Sequence, residues 1–162
     1  LGEGSFAKVY KGVIVKSQRV IAVRLLSLKL IKQYGNKIKQ TLVFLTLKGG
    51  EVAVLKELAE ASNIDYIFTT RIFDCFLTEH NVTMISNSPD GNLEDVVSKR
   101  GPLGQREALE IAYQLARGLQ FISKHNVVHR DIKPDNVFIK KEGNHMVYKL
   151  GDFGFAVKKQ IN

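Results

Sequence analysis

The sequence predicts an α+β chain: a small antiparallel sheet carrying one helix, then a mainly helical part that is begun but not completed. Three observations predict it. β-Branched runs at Val13 to Val15 and Val20 to Leu26 are separated by the polar turn Lys16-Ser17-Gln18-Arg19, and a second such pair spans Ile67 to Leu77 and Val82 to Ile85. Glu51 to Leu58 carries apolar residues at 52, 55 and 58, one face of a helix. Gln105 to Lys124 carries a longer helical stripe: Ala108, Ile111, Ala112, Leu115, Leu119 and Ile122.

Taken in order, Leu1 to Tyr10 reads as two short strands joined by a glycine turn, either a common hairpin turn or one in which Gly2 and Gly4 let the backbone approach phosphate oxygens with Phe6 as a lid. The run Leu25 to Gly50 holds Lys29, Lys32, Lys37 and Lys39, an apolar stretch from Leu42 to Leu47, Lys48 and then Gly49-Gly50, and reads either as an insertion or as a helix start without its usual pattern. The hairpin over Ile67 to Ile85 turns at Thr78-Glu79-His80-Asn81 and runs into Ser86-Asn87-Ser88-Pro89-Asp90-Gly91. Asn92 to Lys99 predicts a short helix stopped by Gly101-Pro102. Val137 to Ile139 and Val147 to Leu150 predict a hairpin around Lys140 to His145, which brings Asn136 and Asp152 together at its open end.

At 162 residues the chain suits one core, and its 44% apolar and 25% charged content is that of a soluble globular protein. No apolar run reaches the roughly 20 residues of a membrane span. Cys75 is the one cysteine, so no internal disulfide forms, and a reducing, cytoplasmic setting is expected. The cysteine itself reads as an apolar filler. A net charge of +8 points to polyanions such as nucleotide phosphates. The lysines are dispersed, without a basic helix or interleaved aromatics, which argues against nucleic acid. His80, His125 and His145 make no zinc-ligand spacing.

His129-Arg130-Asp131-Ile132-Lys133-Pro134-Asp135-Asn136, with Asp152-Phe153-Gly154 sixteen residues beyond, resembles the catalytic loop and metal-binding triplet of the protein kinases. The lysine two residues after Asp131 is similar to the serine/threonine type. The resemblance implies a protein-kinase-like fold: an N-terminal lobe over 1–87, then a hinge and partial C-terminal lobe over 88–162, truncated in the activation segment. It implies transfer of the γ-phosphoryl of ATP, with Mg²⁺, to a serine or threonine hydroxyl of a protein. Asp131 would orient or deprotonate that hydroxyl, Lys133 would stabilise the transferred charge, and Asn136 and Asp152 would hold metal. His129 would support the loop.

The same resemblance implies an ATP site made of Leu1, Gly2, Gly4, Val9, Ala22, Arg24, Glu51, Ile85, Ser86, Ser88 and Phe138. Val9 and Ala22 would cover one adenine face and Phe138 the other. Ile85 would flank the ring, and the backbone of Ser86 to Ser88 would bond to it. Two residues of this nucleotide site depart from the family, and Leu25 to Gly50 is longer than the family usually allows. Ala7 stands at the third glycine, and Arg24 stands where the family has the lysine that grips the α- and β-phosphates. Lys8 and Lys11 are substitute cations on paper only: alternation turns Lys8 off the Val9 face, and Lys11 lies further from the glycine turn. The partner of that cation is Glu51 or Glu57. Arg24 keeps open a rival reading, a kinase-like module that binds nucleotide or protein and transfers nothing; the oligomeric state is open too. In kinases much of the surface against the Gln105–Lys124 stripe comes from helices after the activation segment, so the stripe is expected to be exposed here.

Overall fold

The structure, a computed structural model, describes residues 2–3, 7–27, 50–61 and 67–159. Five strands make an antiparallel sheet in the order β1-β2-β3-β5-β4: β1 (Gly2–Glu3), β2 (Ala7–Ile14), β3 (Arg19–Ser27), β4 (Ile72–Leu77) and β5 (Asn81–Asn87). The polar turn after Ile14 closes the β2–β3 hairpin with Gln18 in the left-handed region at φ +54°. β4 begins at Ile72, not Ile67, because Thr69 and Thr70 are drawn to Leu150 instead: Thr70 N donates to its carbonyl at 2.8 Å.

Helix α1 (Glu51–Glu60) follows and buries Glu51, Val52, Val54, Leu55 and Leu58. This is the expected 52/55/58 face, widened. Beyond the sheet come β6 (Gly91–Asn92), α2 (Leu93–Arg100), α3 (Gln105–Lys124) and β7 (Val127–Val128). Asn92 caps α2, its Oδ1 accepting from Asp95 N at 2.7 Å, and Gly101 ends the helix at φ +81°. β8 (Val137–Glu142) and β9 (His145–Leu150) form the expected hairpin, longer than its apolar cores, and β6 pairs on the far side of β8. β10 (Val157–Lys158) pairs with β7.

The connection from β5 to β6 is strapped to β8. Lys140 Nζ donates to Ser88 O at 3.0 Å and to Asp90 Oδ1 at 2.8 Å, while Asp90 Oδ2 accepts from Lys141 N at 2.8 Å.

Helix α3 starts and ends as the sequence predicts, but its buried face is rotated. Ile111, Gln114, Gly118, Phe121 and Ile122 are buried, whereas Ala108, Ala112 and Leu119 are exposed. Two non-apolar residues explain the shift. Gln114 satisfies the edge of β9, its Oε1 accepting from Tyr148 N at 2.8 Å and its Nε2 donating to Met146 O at 3.2 Å. Gly118 lets residue 68 come close: a Cβ there would stand 2.9 Å from Phe68 O and 3.2 Å from a Leu150 methyl. The stripe expected to be exposed is divided: Ile111 and Ile122 are buried and Ala108, Ala112 and Leu119 are exposed, while Leu109 and Tyr113, which are not part of it, are exposed as well.

The main hydrophobic cluster joins Leu26, Val82 and Met84 of the sheet and Leu55 and Leu58 of α1 to Phe121 and Ile122 of α3, Leu150 of β9, and Phe153 and Ala156. It therefore takes residues from both sides of position 87. A second cluster, Leu93, Ile111, Val137, Ile139 and Tyr148, holds α2 and α3 on the β8–β9 hairpin.

Candidate active site

Residues 129–136 cross between β7 and β8 without regular structure until a 3₁₀ turn at Pro134–Asn136. Several ties fix them. The buried His129 donates from Nε2 to Gly151 O at 2.8 Å and accepts from Asp131 N at Nδ1, 3.3 Å away. This pattern needs the neutral ring, and burial lowers its pKa from 6.5. Its ring lies 4.8 Å from that of Phe153, which is wholly buried. His129 therefore supports the loop from the core.

Asn136 spends its amide protons on Asp131, donating from Nδ2 to the carbonyl at 2.9 Å and to Oδ2 at 2.8 Å. Lys133 Nζ stands 3.1 Å from the same Oδ2. This bond and the Asn136 donor hold the Asp131 carboxyl below the usual carboxylate range, and its partner raises Lys133. Two predicted residues, Lys133 and Asn136, thus converge on the carboxylate of a third, Asp131.

The β8–β9 ladder ends at the pair Val137–Leu150, and Gly151 N then donates to Asn136 O at 2.8 Å. That bond sets Asp152 beside Asn136. Gly151 is required there: a Cβ would fall 2.3 Å from the Phe138 ring. Asp152 itself is left-handed at φ +51° and opens the 3₁₀ turn Phe153–Phe155. Its Oδ1 accepts from Gly154 N at 3.3 Å and from Arg24 Nη1 at 3.2 Å.

Arg24 Nη1 also donates to Glu51 Oε1 at 2.5 Å. Glu51, not Glu57, is the partner of the β3 cation; Glu57 pairs with Lys158 of β10 instead. Burial works against the Arg24 charge, but Glu51 and Asp152 outweigh it and hold its pKa up. Burial also pushes the Glu51 carboxyl up, against the pull of Arg24. Glu51 is 3% exposed, and its Oε2 has no hydrogen-bond partner among the described residues. Lys8 and Lys11 are exposed on β2, so Arg24 is the cation that meets Glu51.

Other expected ATP-site residues separate. Gly2 pairs with Val9, which pairs in turn with Arg24, so β1, β2 and the Arg24 strand are successive neighbours in the sheet. Ala22 shares the Arg24 face by alternation. Ile85 does not: it pairs with Val23, and the β5 residue opposite Arg24 is the buried Met84. Sequence reasoning missed Met84 because only the register tells the two apart. Ser86 closes β5 between Ala22 and Ile72, and Ser88 is buried with its carbonyl on Lys140. Phe138 packs across Gly151. Leu1 and Gly4 lie outside the described residues, as does Phe6. Cys75 is half-buried beside the core, and burial raises its thiol pKa, as a filler requires.

Hard oxygen donors suit Mg²⁺, and Asn136 Oδ1 with the Asp152 carboxylate supplies them from adjoining backbone. Two protein ligands are few, but Mg²⁺ commonly completes its shell with phosphate and water. The residues fit the metal.

The family model for the protein kinase domain matches residues 1–161. The chain is similar to the serine/threonine-protein kinase atg1 of Dictyostelium discoideum, 29% identical over 160 residues. It is 30% identical over 162 residues to serine/threonine-protein kinase 36 of Pongo abelii, and 29% over 157 to the serine/threonine-protein kinase TAO2 of Xenopus laevis. These alignments take 96%, 100% and 96% of this chain but 22%, 11% and 14% of those proteins, so the chain spans a minor part of its relatives' length. By its motifs, its fold and these matches, the chain belongs to the eukaryotic protein kinase superfamily, serine/threonine type.

Proposed function

We propose that the chain binds ATP and passes its γ-phosphoryl group to a serine or threonine hydroxyl of a protein, with residues 1–87 and 88–162 as its two lobes. The observation that carries this is the convergence of Lys133 and Asn136 on Asp131, with Asp152 next to Asn136. The substrate oxygen attacks the γ-phosphorus, the bond to the β-phosphate bridging oxygen breaks, and ADP leaves with that electron pair. Asp131 Oδ2 is taken by Lys133 and Asn136, which leaves Oδ1 for the incoming hydroxyl. With Oδ2 already accepting from Lys133 and Asn136, Asp131 mainly orients the hydroxyl and accepts its proton late. Lys133 Nζ, on the same edge, meets charge on the transferring group. Mg²⁺ bound at Asn136 and Asp152 supplies charge neutralisation on the phosphates. Arg24, tied to Glu51, presents its guanidinium to the α- and β-phosphates over the Val9–Ala22 face. The cytoplasmic location is proposed on the single cysteine alone.

A second reading, binding without transfer, is favoured by one observation: Arg24 is already shared between two carboxylates. Radiolabelled ATP, Mg²⁺ and a serine/threonine peptide mixture decide between them. The transfer reading expects label in peptide, falling roughly 10²–10⁴-fold in Asp131→Asn. Labelling no higher in the parent than in that variant would leave only the binding module.

A further inference from the structure

We infer that Arg24 is an internal counter-ion that competes with a divalent cation for the Asp152 carboxylate. This rests on the reading of Asp152 as a metal ligand. Three elements converge on the guanidinium: β3, which carries it, the first turn of α1 and the turn after β9. The two arms are unequal. Nη1 is 2.5 Å from Glu51 Oε1, in a side chain 2% exposed, and 3.2 Å from Asp152 Oδ1, in a side chain 38% exposed. The Glu51 arm is short and shielded, so it anchors; the Asp152 arm is longer and wet, so it releases.

Gly154 keeps the meeting point open. A Cβ there would lie 3.1 Å from Asp152 Oδ1, 3.8 Å from Glu51 Oε2 and 3.9 Å from Arg24 Nη2. The second guanidinium nitrogen lines the same point, and the buried Glu51 Oε2, which has no hydrogen-bond partner among the described residues, adds negative charge that keeps the cation in place. A metal arriving at Asp152 meets an oxygen that already accepts from a full positive charge and from Gly154 N. It must sit next to a like charge or turn the guanidinium away. Arg24 has somewhere to stay, since Glu51 holds it. Metal occupancy and release of one arm of Arg24 are therefore coupled, and α1 keeps its tie to the sheet throughout.

The test is Mn²⁺ affinity of the full chain, read by water-proton relaxation, in the parent and in Arg24→Met/Glu51→Gln, which removes the competing cation and its anchor together. The double variant should bind Mn²⁺ at least about tenfold more tightly, and adding Asp152→Asn should abolish the gain. Equal affinity in parent and double variant overturns the competition and leaves the metal-ligand reading standing. A gain that survives Asp152→Asn overturns that reading as well. If the double variant does not fold, as judged by its thermal melt, Arg24→Lys decides: its side chain, one bond shorter, keeps Glu51 and loosens Asp152. It should bind Mn²⁺ about threefold more tightly, and parental affinity would overturn the inference.

Discussion

Two regions carry the site, and they are built differently. Around Asp131, the carboxylate is held by partners close along the chain, Lys133 two residues on and Asn136 five, and only His129 reaches further, to Gly151 across 22. Around Arg24, the partners lie 27 and 128 residues away. The first region is a knot of short-range hydrogen bonds with backbone at its centre. The second is a single charged junction between elements that fold from distant parts of the chain. The difference teaches that a catalytic loop can be held by its own local sequence, while a phosphate grip depends on the whole fold arriving.

Breaking the knot should be the costlier experiment. Gly151→Ala drives a methyl into the Phe138 ring and shifts the strand end that carries Asp152. A loss of about 1–3 kcal/mol is expected in urea unfolding, from overpacking alone. An unchanged midpoint would mean that the ring moves freely and that the two regions are equally soft.

A milder change beside the first region sharpens the contrast, because α2 packs on the Pro134–Asn136 turn. Asn92→Ala removes the cap that holds Asp95 N and should cost about 1 kcal/mol in the same assay. Mn²⁺ affinity should stay at the parental value, because the β8–β9 ladder and the bond from Gly151 N to Asn136 O hold the two ligands together without the cap. A shift in metal affinity would show that the junction is sensitive to any loosening.

The smallest effect is one of pH, and it vanishes above neutrality. His129 has a folded pKa below its ordinary 6.5 because burial disfavours the charged ring. The unfolded chain therefore takes up the proton first as pH falls. Stability linked to this group is complete above 6.5 and is lost as pH drops from there towards the folded value. His129→Gln lacks this dependence, so its melting temperature should approach that of the parent between pH 7 and pH 5. Parallel curves would place the titration elsewhere.

Much of the site was legible, and for a reason visible in the residues. The string from His129 to Asn136 carries its own partners, and the β8–β9 hairpin that returns the chain to Asp152 is a short-range event. The ends of α3 were legible from periodicity; its buried face was not, because Gln114 faces inward to serve β9 and Gly118 to admit residue 68. Neither reason exists until the strand is in place. Glu51 could not be told from Glu57 by spacing, since both lie on one helix and the choice depends on which end meets β3. Ile85 and Met84 are adjacent apolar residues, separated only by strand register. The Arg24–Asp152 contact was invisible for the plainest reason: nothing local records it.

The main core also has a timetable. Its members run from Leu26 to Ala156, and Phe153 joins them near the late end, on a turn that packs against α1. During synthesis at roughly 5–20 residues per second, the ribosome needs on the order of ten seconds to travel from the first of these to the last. For that interval Leu26, Leu55 and Leu58 have no Phe153 to close over them. The nascent sheet and α1 thus wait as an unfinished surface, and a chaperone that binds exposed apolar segments would find its target there before the catalytic loop exists.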